Sequence, residues 1–210
     1  MTISILIADD HAIVRKGLTQ LIKDEFPNAN IAGVGDSESL ISKITEEHWD
    51  IVICDLSMPG RSGLDALRQI KQIYPSMPVL IMSMHGEDQY ALRVLKAGAS
   101  GYLGKDSIHE DIIKAIRTVL LGKRFITPGV AEKLAQMLEG DLNQMPHERL
   151  SDREFDVFKL LAGGKAVSDI ADQLSLSVTT VSTYRARILE KMNLKSNADL
   201  TRYALDNNLI

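Results

Sequence analysis

Short apolar, β-branched runs alternate with longer stretches of helical periodicity through the first 122 residues. This alternation restricts the possible folds more than any other feature of the sequence. The five runs cover residues 3–8, 30–34, 51–54, 79–82 and 101–103. Strand and helix repeated five times predict a doubly wound parallel sheet covered by helices, which is an α/β fold. Because each run is continuously apolar, the strands should be buried on both faces.

Residues 150–210 show helical patterns only. Ser151 and Glu154 form a capping box, and Ser177 is the predicted N-cap of a later helix. The four predicted helices begin near Ser151 and cover, in turn, about 152–162, 166–174, 178–192 and 197–207. Two short helices joined by a tight turn, the second of them basic, are typical of a helix-turn-helix. The second domain is therefore predicted to be all-α, with four helices.

Between these two parts, the pattern is weakest. Thr127 and Pro128 predict the start of a short helix that runs to about residue 139, and the following ten residues lack periodicity. We predict a first domain at 1–122, a linker with one short helix at 123–149, and a second domain at 150–210.

Composition excludes some classes of protein. A chain of 210 residues accommodates two domains, and no apolar run approaches the length that spans a bilayer. The N-terminus lacks the basic start and the small-residue cleavage site of a secretory signal. The single cysteine, Cys54, lies inside an apolar run and is predicted to be a packed thiol. These features predict a cytoplasmic protein with no membrane partner.

Positive charge is concentrated in one short segment. The formal net charge of the chain is −4, which by itself does not favour nucleic-acid binding. Residues 147–210, however, carry nine basic and nine acidic side chains, and the segment 184–195 carries four basic residues against one acidic residue. A basic segment on the second helix of a helix-turn-helix favours DNA as a partner.

Polar residues follow the ends of four predicted strands: Asp9 and Asp10 the first, Asp55 the third, Ser83 the fourth and Lys105 the fifth. In a parallel α/β sheet these strand ends lie at one edge, where ligands bind. Three carboxylates brought together repel one another and would raise one another's pKa. Mg²⁺ relieves that repulsion and prefers carboxylate and water oxygens, so we predict Mg²⁺ at this edge, with the ammonium of Lys105 beside it.

The same cluster suits phosphoryl transfer. A carboxylate held in line with a phosphoryl donor accepts the group as an acyl phosphate, which gives Asp55 the role of nucleophile. Mg²⁺ and Lys105 would stabilise the charge on the transferring oxygens. The turn after Asp55 would direct the backbone carbonyl of Ser57 back at the metal, beside Asp9, Asp10 and Asp55.

Four motifs in residues 1–122 resemble the receiver domain of two-component response regulators: "ADD" at 8–10, "CDLSMPGRSGLD" at 54–65, "VLIMS" at 79–83 and "AGASGYLGK" at 97–105. The resemblance implies a flavodoxin-like fold, Asp55 as phosphoacceptor, and Asp9 and Asp10 as metal-organising residues. It also implies that Ser83 and Tyr102 occupy switch positions and that Lys105 is the family's lysine. One departure is Asp106, where many receivers have a proline in a cis bond, so the loop needs another support.

Residues 150–210 resemble the helix-turn-helix of the LuxR/NarL/FixJ group. In the third predicted helix, Val178, Val181, Ile188 and Met192 share one face and should pack inward. Base contacts are expected from a second face, and phosphate contacts from the cations. The residues expected to contact bases are Thr179, Ser182, Thr183 and Ala186. The cations expected to contact phosphates are Arg185, Arg187 and Lys191. Ser182 stands where the family often has a lysine, so no target sequence is carried over.

These features together predict a phosphorylation-regulated transcription regulator. A sensor histidine kinase would phosphorylate Asp55, and the chain would bind promoter DNA as a homodimer, using the outer edge of a stripe formed by Leu200, Tyr203 and Ala204. It would be a phosphoacceptor with self-phosphorylation and self-dephosphorylation chemistry only. One alternative is a Mg²⁺-dependent phosphohydrolase, although Ser57 stands where such enzymes place a second aspartate as general acid. Another is a regulator that binds DNA without phosphorylation.

Overall fold

The computed structural model describes residues 2–58, 62–84, 87–138 and 145–210. The chain divides into two compact units, one up to Ala135 and one from Gln136 onward. Residues 59–61, which belong to the motif after Asp55, lie outside the described residues, as do 139–144 of the predicted linker.

Five parallel strands form the sheet of the N-terminal unit. They are β1 Ser4–Ala8, β2 Asn30–Val34, β3 Ile51–Asp55, β4 Val79–Ser83 and β5 Gly101–Gly104. Their order across the sheet is β2-β1-β3-β4-β5, which is the flavodoxin-like winding. The prediction of a five-stranded, doubly wound parallel sheet is therefore confirmed. In β3 and β4 the strands extend one residue beyond the apolar runs, so that Asp55 and Ser83 belong to the sheet itself.

Helices cover the sheet, and two of them begin at a side chain that satisfies an amide group of the first turn. The helices are α1 Ala12–Glu25, α2 Ser37–Glu46, α3 Gly63–Ile73, α4 Glu87–Lys96 and α5 Ile108–Leu120. Asp36 caps α2 by accepting from the backbone N–H of Ser39, and Ser62 caps α3 by accepting from that of Asp65. The central strands β3 and β4 are buried at every position, as their continuous apolar runs predict. For β2 the expected burial on both faces was wrong: this edge strand is partly exposed.

The N-terminal unit extends past residue 122. Phe125 forms an isolated parallel bridge with Gly101 of β5, and its side chain belongs to the core that the sheet and α5 enclose. Helix α6 follows at Pro128–Leu138, as Thr127 and Pro128 predict, and Val130 is buried. The first part of the predicted linker thus contributes to the packing of the N-terminal unit.

Four α-helices form the C-terminal unit after a short 3₁₀ turn at Pro146–Arg149. They are α7 Asp152–Ala162, α8 Val167–Gln173, α9 Val178–Met192 and α10 Asn197–Asp206. The capping box of Ser151 and Glu154 is present, and Ser177 accepts from the backbone N–H of Thr180 at the start of α9. The all-α, four-helix prediction is confirmed. Between α8 and α9 the chain turns through Ser175, whose φ is 53°.

A close approach of α3 to β3 depends on a glycine at the start of the helix. A Cβ atom at Gly63 would lie 2.0 Å from the carbonyl oxygen of Asp55 and 2.9 Å from the Cα of Leu56. The Gly63 amide donates to the carbonyl of Leu56 at 2.9 Å, which fixes this contact. Only glycine therefore lets α3 begin directly against the backbone that carries Asp55.

We expect Gly63→Ala to destabilise the N-terminal unit by about 1–3 kcal/mol or more, because the added methyl group meets backbone rather than a movable side chain. Gly17→Ala is the matched control, since Gly17 lies within α1 and a Cβ there meets nothing within 4 Å. That change should raise stability by about 0.5–1 kcal/mol through helix propensity. Urea unfolding followed by fluorescence of Trp49, the chain's single tryptophan, reports on this unit. Equal midpoints for Gly63→Ala and the unchanged protein would contradict the close approach.

Candidate functional site

Two buried carboxylates lie side by side at the carboxyl edge of the sheet. Asp9 directly follows β1, and Asp55 is the last residue of the neighbouring strand β3. The register pairs Ala8 with Cys54, so the two aspartates are adjacent across the sheet. Asp9 is 0% and Asp55 1% exposed. Burying two like charges together is costly unless other groups compensate for them.

Lys105 supplies part of that compensation. Its Nζ atom lies 2.7 Å from Oδ2 of Asp9 and 2.9 Å from Oδ2 of Asp55. The lysine follows β5 in a 3₁₀ turn, Lys105–Ser107, in which the Ser107 hydroxyl donates to the carbonyl of Gly104. This turn supports the loop at Asp106, and no cis peptide bond occurs in the described parts of the chain.

Burial and charge act in opposite directions on these groups. Burial raises the pKa of the Asp55 carboxyl, although its hydrogen bond from Lys105 opposes that effect. Burial alone would lower the pKa of Lys105, but the hydrogen bonds to Asp9 and Asp55 hold that pKa above its ordinary value. Lys105 therefore stays protonated. Its single positive charge balances the negative charge of only one of the two carboxylates. Burial also raises the pKa of the Cys54 thiol, as expected for a packed thiol.

The donor set at this edge fits a divalent cation. Oδ1 of Asp55 is buried and has no hydrogen-bond partner within the described structure, so one carboxylate oxygen is available for a further positive charge. Ligand atoms of Asp9, Asp10, Asp55 and His11 all lie within 4.8 Å of one another. Asp10 is exposed at the rim, where water completes a coordination shell. The arrangement suits a divalent ion that keeps several waters.

The backbone of Asp9 is held from both sides. Its amide donates to the carbonyl of Val34 in β2 at 3.2 Å, and its carbonyl accepts from Nη1 of Arg15 at 2.5 Å. Arg15 reaches this position across Gly33 of β2, since a Cβ there would lie 3.4 Å from the arginine Cδ. Arg15 and His11 were not among the predicted site residues. Nothing in the sequence indicates that Arg15 contacts Asp9. His11 could have been predicted, because its imidazole directly follows the two aspartates at the end of the first strand.

Of the remaining predicted residues of the phosphoacceptor cluster, Ser83 and Ser57 lie at or just beyond the same edge, whereas Tyr102 lies within β5. Ser83, the last residue of β4, is fully buried and pairs with Gly104. Tyr102 pairs with Ile81 in the sheet and is 1% exposed, so its ring lies within the core and not over the rim. Ser57 lies two residues beyond Asp55 and is exposed.

Helix α9 presents two faces in the C-terminal unit. Val181, Ile188 and Met192 are buried, as predicted. The prediction for Val178 was wrong: it is 53% exposed, because as the first residue of α9 it precedes the turn that packs on the other helices. The four residues predicted to contact bases are at the surface: Thr179, Ser182, Thr183 and Ala186. The hydroxyl of Thr183 donates to the carbonyl of Thr179 at 3.0 Å.

The cations of α9 differ in their surroundings. Arg187 is exposed and forms no ion pair with the described residues. Nε of Arg185 donates to Oδ1 of Asn197 at 2.7 Å, at the start of α10. Nζ of Lys191 lies 2.6 Å from Oε2 of Glu154, a buried carboxylate. Burial would raise the pKa of Glu154, but Lys191 and the amide of Ser151 hold it below its usual range. Two of the three predicted phosphate contacts are thus engaged within the unit.

The predicted stripe on α10 packs largely inward. Leu200 and Ala204 are buried, and the hydroxyl of half-buried Tyr203 lies 2.9 Å from Nδ1 of His147. Leu205, a large apolar residue of this helix, is exposed. Within the described residues, we find no helix that combines the length and the apolar character of a membrane span.

Two family matches cover most of the chain. Residues 5–117 match the response regulator receiver domain, and residues 148–204 match the bacterial regulatory proteins of the luxR family. Response regulator GacA of Pseudomonas viridiflava is 35% identical over 99% of this chain and 98% of its own length. Oxygen regulatory protein NreC of Staphylococcus epidermidis is 36% identical over 98% of each chain.

A solved structure is similar over nearly the whole length. RcsB of Salmonella enterica serovar Typhimurium, bound to the promoter rprA in the presence of the phosphomimetic BeF3⁻, is 28% identical with a TM-score of 0.69. The match covers 96% of this chain and 98% of RcsB. Fold, motifs and both family matches agree: this chain belongs to the response regulators that combine a receiver domain with a LuxR-type helix-turn-helix DNA-binding domain.

Proposed function

We propose that Asp55 accepts a phosphoryl group from a sensor histidine kinase and that this event controls binding to promoter DNA. The observation that carries the proposal is the buried Asp55 carboxylate, which has one oxygen bonded to Lys105 and the other without a partner in the described structure. The proposed parts of the chain are the receiver at 1–122, the connection at 123–149 and the DNA-binding domain at 150–210. A cytoplasmic location follows from such partners.

In the proposed transfer, a carboxylate oxygen of Asp55 forms a bond to phosphorus while the bond from phosphorus to the kinase imidazole breaks. The electron pair of the broken bond stays on the imidazole nitrogen. Lys105 already contacts the Asp55 carboxylate, so its ammonium is in place to neutralise charge on the transferring oxygens. We propose Asp9, Asp10, Asp55 and the Ser57 carbonyl as ligands of Mg²⁺, which when bound would lower the charge at the phosphoryl oxygens.

The phosphorylated state would be communicated through groups that border Asp55. We propose Ser83 and Tyr102 as switch residues, because Ser83 ends the strand next to β3 and Tyr102 occupies the strand beyond it. Phosphorylation adds negative charge and acceptor oxygens, which would attract the Ser83 hydroxyl and alter the shared contacts of Lys105. A change of this kind controls DNA binding only if the two states differ in their affinity for DNA or for a second copy.

For DNA, we propose that the N-terminal part of α9 enters the major groove. Thr179, Ser182, Thr183 and Ala186 would contact bases, and Arg187 would contact a phosphate. Arg185 would contact a phosphate only if it shared or broke its hydrogen bond with Asn197. Lys191 would likewise have to share or break its ion pair with Glu154. RcsB, which is similar to this chain, has been solved as two dimers on two parallel DNAs, with a TM-score of 0.59 to this structure. Binding as a homodimer, with Leu205 on an exposed face of α10, is our proposal for this chain.

A phosphohydrolase is the less favoured alternative. Ser57 stands two residues after Asp55, where a phosphohydrolase would place an aspartate as general acid. A serine hydroxyl is far too weakly acidic to take that role. Position 57 therefore offers no carboxyl to act as the general acid on which repeated turnover in such enzymes depends. We propose that the only chemistry of the chain is phosphorylation and dephosphorylation of Asp55 itself.

With Mg²⁺ and acetyl phosphate, the protein should gain the mass of one phosphoryl group, located on Asp55. Asp55→Asn should gain none, because the amide is not a nucleophile of this kind. Asp24→Asn, which removes an exposed carboxylate of α1, is the matched control and should be labelled fully. Intact-mass measurement checks all three proteins. Equal labelling of Asp55→Asn would exclude Asp55 as the acceptor.

Arg187→Ala should weaken binding to every DNA sequence and reduce the slope of log affinity against log salt by about one. Lys191→Ala should instead loosen the C-terminal unit, because it leaves the buried Glu154 carboxylate without its cation. Fluorescence titrations at several salt concentrations measure the first effect, and hydrogen exchange at α7 and α9 measures the second. An unchanged salt slope for Arg187→Ala would remove this residue from the phosphate contacts.

Beryllofluoride, a phosphoryl mimic, should increase both self-association and affinity for DNA with two half-sites. A linked pair of copies should bind DNA more tightly than a single copy when two half-sites lie about one helical turn, roughly 10 base pairs, apart. Sedimentation with and without beryllofluoride, with Asp55→Asn as control, checks this expectation. A monomer with constant DNA affinity under both conditions would mean that the two domains act independently.

A further inference from the structure

His11 lies against the acidic cluster although α1 does not need it there. It is the N-cap residue of α1, but its side chain makes no capping hydrogen bond within the described structure. Instead, Nδ1 of His11 lies 2.7 Å from Oδ1 of Asp10 and 3.3 Å from Oδ1 of Asp9. Its backbone amide also donates to Oδ1 of Asp9 at 2.8 Å. The chain thus turns the imidazole towards the same oxygens that would hold a metal ion.

A second, independent observation indicates a cation at this point. Oδ1 of Asp55 is buried and unpartnered within the described residues, and Asp55 supplies one of the ligand atoms that lie within 4.8 Å of one another. Among the described residues, Lys105 is the ammonium in contact with the buried pair, and it approaches the Oδ2 atoms of Asp9 and Asp55. Oδ1 of Asp55 therefore lacks the contact with an ammonium that Oδ2 of the same carboxylate has.

The distances around His11 match those between neighbouring metal ligands. Two ligands bound side by side to an octahedral ion at about 2.1 Å lie about 3.0 Å apart. The separations of 2.7 and 3.3 Å from Nδ1 to the two carboxylate oxygens bracket that value. The imidazole of His11 can therefore reach an ion shared with these carboxylates without a change of fold.

An imidazole changes which metals such a site prefers. Carboxylate, carbonyl and water ligands suit Mg²⁺, whereas imidazole nitrogen suits first-row transition metals such as cobalt, nickel and zinc. We infer that His11, packed beside Asp9, Asp10 and Asp55, is a direct ligand that makes this site bind a divalent transition-metal ion more tightly than Mg²⁺. This inference rests on the proposed divalent-metal site and adds both a ligand and a metal class to it.

Metal titrations of the full chain test the inference. Calorimetric titration with Mg²⁺ and, separately, with Co²⁺ gives the affinity for each ion. His11→Ala should weaken Co²⁺ binding by at least about tenfold, since even groups that only support a ligand alter metal affinity by that much. The same change should leave Mg²⁺ affinity within about threefold, because Mg²⁺ keeps water in place of the imidazole.

His48→Ala is the matched control. His48 is also exposed and also faces an aspartate, with Nε2 3.6 Å from Oδ1 of Asp50, but it lies outside the cluster. Its removal should change neither affinity. Proton NMR of the Co²⁺-bound protein adds a direct readout, because a coordinated imidazole gives a strongly shifted, exchangeable ring proton. That signal should be present in His48→Ala and absent in His11→Ala.

Two results would overturn the inference, and they differ in their consequences. In the first, both ions bind the unchanged protein and Asp55→Asn weakens both, but His11→Ala leaves Co²⁺ binding and the shifted proton intact. His11 is then not a ligand, and the proposed Mg²⁺ site stands. If neither ion binds at the Asp55-dependent site, the proposed metal site fails together with the inference.

Discussion

A single ammonium shared by two buried carboxylates determines the arrangement of the receiver's functional edge. Lys105 follows β5, Asp9 follows β1 and Asp55 ends β3, so their contacts join three strands that are separated in sequence. Two negative charges with one positive charge leave a net negative site in a buried environment, which favours a further cation and then an electrophilic phosphoryl group. The flavodoxin-like winding makes this possible, because it brings all these strand ends to one side.

In the C-terminal unit, a lysine paired with a buried carboxylate has a structural role. Glu154 is buried near the start of α7, where it completes a capping box, and Lys191 of α9 supplies its counter-charge. Removal of either partner would leave an uncompensated charge or an unsatisfied helix start. The ion pair therefore links the first helix of this unit to the helix that we propose enters DNA, and it reduces the positive charge that α9 has available for phosphates.

Local signals made much of the fold predictable. Continuous apolar runs located the five strands, and side-chain caps such as Ser151 and Ser177 located helix starts closely, because both depend on residues adjacent in sequence. The convergence of Asp9, Asp55 and Lys105 was also predictable from strand order. Pairings between distant residues were not: Lys191 with Glu154 depends on how α7 packs on α9, and the exposure of Val178 depends on where α9 leaves its neighbours.

The packing of Phe125 has a consequence for dissection of the chain. Gly101 begins β5, an edge strand of the sheet, and Phe125 both pairs with it and fills the adjoining core. A proteolytic fragment that ended at Gly122 would lose this pairing and leave an apolar vacancy beside an open strand edge, which promotes aggregation. The compact N-terminal unit is therefore longer than the strand-and-helix repeat that defines its architecture, and Phe125, which follows α5, belongs to its core.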